Sequence, residues 1–495
     1  MRRPAPHRID SQRGRPLHGA ASSRAIEQAA ASALPAHTLM RRAGLGIARL
    51  ALAVAPHARV YRVLAGPGNN GDDGFKVAMH LRRWGHTVQV CLLGEPEHAP
   101  ADARASFERA QGAGVPFMTS LPSDVHADDL LIDALLGLGT ARAIEGKMAS
   151  WVQALQSGPA PVLAVDLPTG LNIDTGTPGA GPCVHARHTL SLLSLKPGLF
   201  TAGGRDAAGE IWFDDLGVDL DVRAPDAWLN GPPLARGRHH ASHKGTHGDV
   251  SVLGGEGPEH RGMGMGGAAL LAGVAALHAG AGRVMVAALE RSAPGWDAGQ
   301  PDLMFRHPQA LPLEDSTVVC GCGGGDLIRD HLPRALSRAS RLVLDADGLN
   351  AVSTDSALAD LLAARGRAGR PTVLTPHPLE AGRMLGCAAD QIQSDRLTAA
   401  RTLSERYRAT VVLKGSGTVI ASPGELLTIN PTGNGRLGTA GTGDVLAGLL
   451  GARMAGGMTA HSAACAAAWE HGRCADTWPE GLALTASRLA RRLQP

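Results

Sequence analysis

The sequence lacks a long apolar run and has only a small excess of positive charge. Its 495 residues contain no window of about 18 continuous apolar residues, so no membrane span is predicted. The formal net charge of +3 is too small for the concentrated basic face of a nucleic-acid-binding protein. Residues 1–16, MRRPAPHRIDSQRGRP, lack the apolar core of a signal peptide, and we expect a disordered leader there. These absences predict a soluble, cytoplasmic protein that acts on small molecules.

Cysteine and lysine are both scarce. The seven cysteines are scattered and odd in number, which favours reduced thiols over a disulfide framework. Cys320 and Cys322 form the one close pair, and without a second pair at zinc spacing they do not favour a metal site. Only five of the 48 basic residues are lysines. Three of them, Lys196, Lys244 and Lys414, stand in glycine-rich turns, where a lysine is expected to have a specific task.

Short runs rich in Val, Ile and Leu alternate with helical stretches along the chain, the pattern of parallel α/β architecture. Residues 221–237 interrupt this pattern with three prolines and no clear periodicity, and we interpret them as a linker. A chain of this length is too long for a single hydrophobic core. The sequence therefore predicts two α/β domains, one over 17–220 and the other over 238–495.

The stretch LAGPGNNGDDG, residues 64–74, fits the dinucleotide-binding fingerprint G-x-G-x-x-G. A dinucleotide loop places its helix start against a negatively charged pyrophosphate. Asp72 and Asp73 would oppose that charge, so the loop better suits a neutral or cationic group, or a monovalent cation beside a ligand. A P-loop is excluded as well, because the sequence around Lys147 lacks the leading glycine and the trailing Ser or Thr.

Oxygen-bearing side chains follow several of the predicted strands. Asn70, Asp133, Asp166 and Thr169 all stand near the carboxyl ends of such strands. Because those ends meet in one crevice of a parallel sheet, the four side chains are expected to share a site. Ligand sets made only of oxygen suit a hard cation rather than zinc. Each aspartate taken alone fits equally well as a helix N-cap.

Four motifs of the first half are Asn69-Asn70-Gly71-Asp72-Asp73, Asp133-Ala-Leu-Leu-Gly, Val165-Asp166-Leu-Pro-Thr-Gly170 and Leu195-Lys196-Pro-Gly-Leu199. They resemble the motifs of the YjeF N-terminal family, the NAD(P)H-hydrate epimerase fold, over roughly 22–220. The resemblance implies a Rossmann-like fold. It also implies interconversion of the R and S forms of hydrated NADH and NADPH beside a bound potassium ion (K⁺).

The resemblance also implies roles for individual residues. Asn70, Asp133 and Thr169 would ligate potassium, and Asp166 would assist the departure and return of the hydroxyl as acid or base. Besides Asp166, the residues that would hold the hydrate are Asn69, Asn70, Gly71, Asp72, Asp73, Gly137, Leu138, Gly139, Thr140, Ala141, Arg142 and Ala143.

This half departs from the family pattern at three places. Asp72 stands where the family usually has the second glycine of NNGGD, and it would be strained if that position requires a positive φ or a close approach of the ligand. Thr169 replaces a serine but keeps the hydroxyl. Loop 137–143 reads GLGTARA instead of the usual GTG-led form. Weakened epimerase activity would follow if these positions are critical.

In the second half, the segment GNGRLGTAGTGDVLAG over 433–448 opens onto an apolar helix. Backbone N–H groups at such a turn, together with the helix dipole, form an anion-binding site. Asp444 falls in the first helical turn, where it can act as a base, although a plain helix-start role is the alternative. Lys414, at the end of the apolar run 411–413, is placed to meet phosphate. Phosphoryl transfer requires this combination.

Five motifs stand in order over 238–490: SHKGTHG, DADGLN, LTPHPLEA, VVLKG and GTGDVLAG. They resemble the carbohydrate-kinase family of ADP/ATP-dependent NAD(P)H-hydrate dehydratases, which implies a ribokinase-like fold and Mg²⁺ at the phosphates. Cys322 replaces the family's usual proline. By resemblance, the hydrate would contact Ala268, Gly323, His377 and Asp444, the last as catalytic base. The residues implied for ADP or ATP are Lys414, Gly415, Ser416, Gly417, Thr418 and Gly443.

Two other functions remain open at this point. A ribokinase-type small-molecule kinase would explain the second half and would release a stable phosphorylated product. The first half would then be a ligand-sensing or assembly module without catalysis. The His-rich stretch 238–247 has no carboxylate or thiolate at ligand spacing and does not favour a metal site. A homo-oligomer is expected.

Overall fold

The computed structural model describes residues 5–94, 101–138, 143–219, 223–234, 237, 239–289 and 295–495. The chain forms two compact units. The first holds the residues up to Asp10 and Pro16–Ala227, and the second holds Ser11–Arg15 and Trp228–Pro495. The division at Ala227 falls inside the segment predicted as a linker, where Ala227–Leu229 form a strand.

The strands up to residue 214 are β1 His7–Arg8, β2 Arg15–Leu17, β3 Tyr61–Ala65, β4 Val88–Leu92, β5 Phe117–Met118, β6 Leu130–Ala134, β7 Val162–Val165, β8 His188–Leu192 and β9 Glu210–Asp214. Eight of them form one sheet in the order β1-β9-β8-β7-β6-β3-β4-β5. The pairs from β5 through β9 are parallel, and β1 is antiparallel to β9. The carboxyl ends of β3, β6, β7 and β8 therefore share one edge of the sheet.

The helices of this part are α1 Ala20–Ala33, α2 Thr38–Val54, α3 Asn69–Arg83, α4 Ala101–Gly112, α5 Gly146–Ser157 and α6 Gly204–Ala207. Buried side chains of α2 and α3, such as Ile47 and Val77, pack with those of β3 and β4 in one apolar core. A second core joins α5 to the sheet and includes Trp151 and Val152. This packing fixes the strand ends that carry the polar motif residues.

The later strands are β10 Ala227–Leu229, β11 Asp249–Gly254, β12 Arg283–Ala288, β13 Met304–Phe305, β14 Thr317–Cys320, β15 Arg341–Leu344, β16 Thr372–Leu374, β17 Thr410–Leu413, β18 Val419–Ala421 and β19 Leu427–Ile429. They and β2 form the sheet β13-β12-β11-β14-β15-β16-β17-β18-β19-β10-β2. It is parallel from β13 to β17, and β17, β18 and β19 pair antiparallel. The α/β class predicted for both halves is thus confirmed.

The later helices are α7 Pro258–Arg261, α8 Gly266–His278, α9 Leu332–Arg338, α10 Ala346–Thr354, α11 Ser356–Arg367, α12 Pro378–Leu385, α13 Ala389–Ser394, α14 Arg396–Tyr407, α15 Thr442–Ala455, α16 Ala460–Asp476 and α17 Ala486–Arg492. Helices α8, α15 and α16 are rich in alanine, and their buried faces form one core with β11 and β12. Small side chains allow close approach: a Cβ at Gly448 would overlap the backbone of Ala272. Across the described residues, no helix has both the length and the apolar character needed to cross a membrane.

The prediction of a disordered leader is wrong for the described part of residues 1–16. The backbone N–H of Ile9 donates to the carbonyl of Ile211 at 2.8 Å, which extends the pairing of β1 with β9. The indole N–H of Trp469 donates to the carbonyl of Ser11 at 2.9 Å. Composition alone suggested disorder because a basic, Pro-rich segment has no hydrophobic periodicity, but edge pairing needs only backbone groups.

Candidate active sites

The first candidate site is a cavity of about 510 Å³ at the carboxyl edge of the first sheet. Seven of the hydrate-binding residues expected by resemblance line it: Asn69, Asn70, Asp73, Gly137, Leu138, Ala143 and Asp166. Gly71 and Asp72 are not among its lining residues. Gly139, Thr140, Ala141 and Arg142 lie outside the described residues. The convergence of three strand ends that the parallel-sheet rule predicted is therefore present.

Asp166 and Lys196 form a buried ion pair on the wall of this cavity. One carboxylate oxygen of Asp166 accepts hydrogen bonds from the ammonium of Lys196 and, at 3.0 Å, from the backbone N–H of Leu192. Lys196 also donates to the carbonyl of Leu192 at 2.7 Å. Burial lowers the pKa of Lys196, while Asp166 opposes that shift. Lys196 was not among the predicted site residues, although its position in a glycine turn of a lysine-poor chain was a signal for it.

The backbone of Asp166 is itself unusual. Its φ of 68° lies in the left-handed region, which costs free energy for a residue with a side chain and is concentrated at functional sites. Its N–H donates to Leu190 at 2.8 Å, and the next residue turns back toward Val165. The conformation directs the carboxylate toward Lys196 and the cavity.

Two further carboxyl groups, those of Asp73 and Glu27, line the same cavity. Burial raises the pKa of Asp73 well above its usual range; Lys76 offsets part of this shift, and Asp72 and Asp166 add to it. One carboxyl oxygen of Asp73 has no hydrogen-bond partner among the described residues. Burial also raises the pKa of Glu27. The cavity thus combines a salt-bridged carboxylate with two carboxyl groups whose pKa values burial raises.

Asp72 does not occupy the strained position that the family pattern suggested. It lies in the first turn of α3, which begins at Asn69, and it is not among the residues with positive φ. Its carboxylate is buried 2.5 Å from the ammonium of Lys76. The tight spot of this loop is Gly71, where a Cβ would overlap the carbonyl oxygen of Gly66. Gly71 therefore serves the packing of the helix start against the strand end.

The three residues proposed for potassium are linked around the carbonyl of Leu136. Thr169 donates its hydroxyl to Asp133 at 2.7 Å and its backbone N–H to the other oxygen of Asp133 at 2.8 Å. The amide of Asn70 donates to the carbonyls of Leu136 at 2.8 Å and Val165 at 3.3 Å. The donor set is made of oxygens and fits a hard cation.

The second candidate site lies at the carboxyl edge of the second sheet, at the start of α15. Asp444 is in the first turn of this helix, after Gly441 at φ 87°. Burial, with a contribution from the nearby Asp345, raises the pKa of Asp444 to about 6. A Cβ at Gly443 would lie 3.4 Å from the ammonium of Lys414. The structure therefore brings together three residues that the motifs assigned to phosphate and proton transfer.

Lys414 is held by two carboxylates. Its ammonium lies 2.8 Å from Asp345 and 3.9 Å from Glu380. Burial by itself would lower the pKa of Lys414, but these two carboxylates outweigh it and the pKa is raised. Thr375 donates its hydroxyl to the same oxygen of Asp345 at 2.6 Å. The lysine is thus a fixed cation at the strand end.

His377 and Glu380 form a capping box at the start of α12. The ring Nδ1 of His377 accepts from the backbone N–H groups of Leu379 and Glu380 at 3.1 and 3.3 Å. The backbone N–H of His377 donates to Glu380 at 2.8 Å. Burial lowers the pKa of His377, which favours the neutral ring. Glu380 was not predicted as a site residue, because in the sequence it reads as an ordinary capping-box glutamate.

Gly323 and Ala268 are neighbours, as the expected substrate contacts require. Gly323 has a φ of 56°, and a Cβ there would lie 2.8 Å from the Cβ of Ala268. In the predicted nucleotide loop, Gly415 has a φ of 138°, and Thr418 donates its hydroxyl to the carbonyl of Gly415 at 3.2 Å. Ser416 is exposed beside it. The structure thus forms the 415–418 turn directly after the strand that carries Lys414.

Two residues that the motifs did not indicate hold the backbone of these loops through hydrogen bonds. The guanidinium of Arg396 donates to the carbonyls of Leu413 and Lys414 at 3.1 and 3.2 Å. A ring nitrogen of His471 lies 2.9 Å from the carbonyl of Thr442. Burial lowers the pKa of His471 to about 4, so the neutral ring donates this hydrogen bond. No local pattern marks either residue, because both act from distant helices.

Comparison with known proteins covers both halves of the chain. The NAD(P)H-hydrate dehydratase family matches residues 252–495, and the family of YjeF-related N-termini matches residues 36–198. The bifunctional NAD(P)H-hydrate repair enzyme of Escherichia coli is 35% identical, with 90% of this chain and 85% of that protein covered. That of Gloeobacter violaceus is 36% identical, with 92% of each chain covered.

One solved structure is that of the ADP/ATP-dependent NAD(P)H-hydrate dehydratase from Bacillus subtilis co-crystallised with ATP and Mg²⁺. It is 30% identical over 52% of this chain and 91% of its own, with a TM-score of 0.42. The relatives from Escherichia coli and Gloeobacter violaceus match both halves of the chain at more than 30% identity. The chain therefore belongs to the family of bifunctional NAD(P)H-hydrate repair enzymes.

Proposed function

We propose that the first unit interconverts the R and S forms of hydrated NADH and NADPH, and that the second unit dehydrates the S form at the expense of ADP or ATP. The observation that carries this proposal is the convergence, in each unit separately, of the motif residues at the carboxyl edge of its sheet. Asp166 and Asp73 line the first cavity. Asp444 and Gly443 stand beside Lys414 and Asp345 at the second.

Epimerisation requires the hydroxyl on the hydrated carbon to leave and to return on the opposite face. Asp73 favours its protonated form, which suits an acid that donates a proton to the departing hydroxyl. Electrons of the ring nitrogen form a double bond to the carbon as the carbon–oxygen bond breaks. Water then adds from the other face and gives its proton to the carboxylate of Asp166, which Lys196 holds in place.

A potassium ion beside this cavity is part of the proposal. Asn70, Asp133 and Thr169 would hold it, together with the carbonyl oxygens that Asn70 now contacts. When bound, it would supply a fixed positive charge beside the substrate. Burial raises the pKa of Asp133 to about 6, and a cation would favour the ionised carboxylate.

In the dehydratase, Asp444 would accept the proton of the hydrate's hydroxyl as that oxygen attacks the terminal phosphorus of the nucleotide. The ammonium of Lys414 and the N-terminus of α15 stabilise the charge on the transferring oxygens. Elimination of phosphate then breaks the carbon–oxygen bond, the neighbouring ring carbon loses a proton to solvent, and the double bond that forms between the two carbons restores the dihydronicotinamide ring. When bound, Mg²⁺ would neutralise the phosphates of the nucleotide.

The proposal is tested with a mixture of R and S hydrates, in which each form is followed by chromatography together with released phosphate. With ADP or ATP, we expect both forms to disappear and one phosphate to appear per NADH or NADPH regenerated. A stable phosphorylated product without phosphate release would support a ribokinase-type kinase instead. Persistence of the R form beyond its spontaneous epimerisation time would support a non-catalytic first unit. Running ADP and ATP in parallel identifies the preferred nucleotide.

A cytoplasmic location and a homo-oligomeric assembly complete the proposal. All seven cysteines are free, which suits a reducing compartment. Light scattering on the purified full chain measures the assembly, and a mass equal to one chain would contradict the oligomer.

A further inference from the structure

Cys322 is fully buried at the centre of the second site. It lies in the turn after β14, and its sulfur is 3.9 Å from the Oδ2 of Asp345. The ligand atoms of Cys322, Asp345 and Asp444 all lie within 4.8 Å of one another. The three residues come from three different elements, so their spacing along the chain does not resemble a metal-binding motif. Their arrangement in three dimensions does resemble one, because the three ligand atoms are close enough to meet a single ion.

The two oxygens of Asp345 have separate contacts. Oδ1 accepts hydrogen bonds from the ammonium of Lys414 at 2.8 Å and from the hydroxyl of Thr375 at 2.6 Å. Oδ2 faces the thiol of Cys322. A cation bound to Oδ2 therefore leaves both of those hydrogen bonds in place.

We propose that Cys322, Asp345 and Asp444 form a binding site for a thiophilic divalent cation such as Zn²⁺. One thiolate and two carboxylates supply three ligands and leave a position open for water, the arrangement of three-ligand zinc sites. Sulfur distinguishes this set from the all-oxygen sets that Mg²⁺ prefers. Binding displaces the protons of the Cys322 thiol and the Asp444 carboxyl to solvent and involves no redox step.

The local charge permits a cation. Among the residues that the structure describes, Lys414 is the cation in contact with this cluster, and the carboxylate of Glu380 lies 3.9 Å from its ammonium. With Asp345 and Asp444 ionised, carboxylates outnumber the lysine. Each metal ligand is a buried or half-buried side chain with few positions to adopt, so little conformational entropy is lost on binding.

Occupation of the site inhibits the dehydratase, because it takes the carboxylate of Asp444 from the hydrate's hydroxyl. This consequence depends on the proposed function, whereas metal binding itself does not. Since the family pattern has proline at the position of Cys322, the sensitivity belongs to this chain and not to the reaction.

The direct test is titration of the metal-free full-length chain with Co²⁺ alone, followed by the thiolate-to-cobalt charge-transfer absorption. We expect a saturable band that disappears in Cys322→Ser and weakens in Asp444→Asn. Cys320→Ser is the matched control, because Cys320 is equally buried two residues away and is outside the three-ligand cluster; its band should equal that of the wild type. Circular dichroism confirms that each variant is folded. An unchanged band in Cys322→Ser would overturn the proposal.

A second measurement determines the effect on turnover. Zn²⁺ is added to the dehydratase assay at constant excess Mg²⁺, and each variant is compared with its own zinc-free rate. Loss of one ligand should raise the half-inhibiting Zn²⁺ concentration at least about tenfold in Cys322→Ser and in Cys322→Pro. Equal zinc sensitivity in all three proteins would overturn the inhibitory role. Absence of dehydratase activity in the zinc-free wild type would instead contradict the proposed function, while the cobalt band would still report the site.

Discussion

Asp166 and Asp444 are both placed at the carboxyl edge of a parallel sheet, yet their surroundings differ. Asp166 has a strained backbone and an ion pair with a buried lysine. Asp444 lies in a relaxed helical turn, and burial raises its pKa to about 6 without a direct ion pair among the residues described at that site. Lys414 pairs with Asp345 instead.

The difference follows from what each site has to stabilise. In the reaction proposed for the first cavity, the reacting group is a hydroxyl on a ring, and the carboxyl groups of Asp73 and Asp166 can move its proton. In the second site negative charge moves between phosphoryl oxygens, so the lysine and the helix N-terminus face the anion while the aspartate accepts a proton. The carboxyl edge of a parallel sheet can thus serve two proposed reactions. The difference lies in the aspartate that the lysine pairs with: Lys196 pairs with Asp166 itself, whereas Lys414 pairs with Asp345 and not with Asp444.

The largest difference between the two sites is expected from a substitution of Asp444. Asp444→Asn removes the base and should lower the dehydration rate about 10³-fold, within the range for loss of general base catalysis. Its epimerisation rate should stay within about twofold of the wild type, because the two sites are in separate compact units. Phosphate release and R–S exchange are measured on the same preparation. A dehydration rate within about tenfold of the wild type would contradict the role given to Asp444.

The matching change in the first unit is Asp166→Asn, which should lower epimerisation about 10²-fold and leave dehydration of the S form intact. The smaller loss is expected because the carboxyl group of Asp73 remains in the cavity. Asparagine tolerates a positive φ, so the fold should persist. R–S exchange is followed without nucleotide. An unaltered exchange rate would assign the acid–base chemistry elsewhere.

The pH dependence sharpens the comparison further. Asp444 must be ionised to accept a proton, and its pKa is raised to about 6. Protonation below that value removes the base, so kcat/KM for dehydration should fall about tenfold between pH 7 and pH 5. Activity should be level above pH 7 until other groups titrate. A profile flat down to pH 5 would show that another group accepts the proton.

The smallest effect on rate is expected at Asp72. Asp72→Gly restores the family's glycine, but because Asp72 faces Lys76 and not the cavity, epimerisation should change less than about threefold. Removing one partner of a buried pair should instead lower the free energy of unfolding by about 3 kcal/mol. Chemical denaturation measures this loss, and the double variant Asp72→Gly/Lys76→Met should recover most of it. A large gain in epimerisation would show that Asp72 impairs the site after all.

Much of the fold could be predicted from apolar periodicity. Apolar runs in the sequence predict strands at 283–288, 341–344 and 410–413, and these match the observed bounds, because buried parallel strands are near-continuous apolar runs. The sequence pattern over 349–365 predicts one helix, but the structure has two, since Asp355 ends one and caps the next through the N–H groups of Ala357 and Leu358. Two-residue strands such as β1 and β13 are too short to show any periodicity.

Site residues at the carboxyl ends of strands could be predicted from the sequence. Site residues that tertiary packing brings in from other elements could not. The parallel-sheet rule placed Asn70, Asp133, Asp166 and Thr169 at one edge of the sheet. There Thr169 donates to Asp133, and Asn70 donates to the carbonyl of Val165, the residue before Asp166. Glu27 reaches the first cavity from the middle of α1, where the sequence shows only an amphipathic helix. The cluster of Cys322, Asp345 and Asp444 was missed for the same reason: its residues come from three elements, and spacing along the chain says nothing about them.

Complementation between the two inactivated proteins tests the central claim of two independent active sites most directly. Asp166→Asn and Asp444→Asn are assayed separately and then as an equimolar mixture, with R and S hydrates and excess nucleotide. Asp166→Asn alone should leave the R form, and Asp444→Asn alone should leave an R–S mixture. The mixed proteins should convert both forms completely to NADH or NADPH, because one protein passes the S form to the other through solution. Failure of the mixture to consume the R form faster than its spontaneous epimerisation would contradict the account.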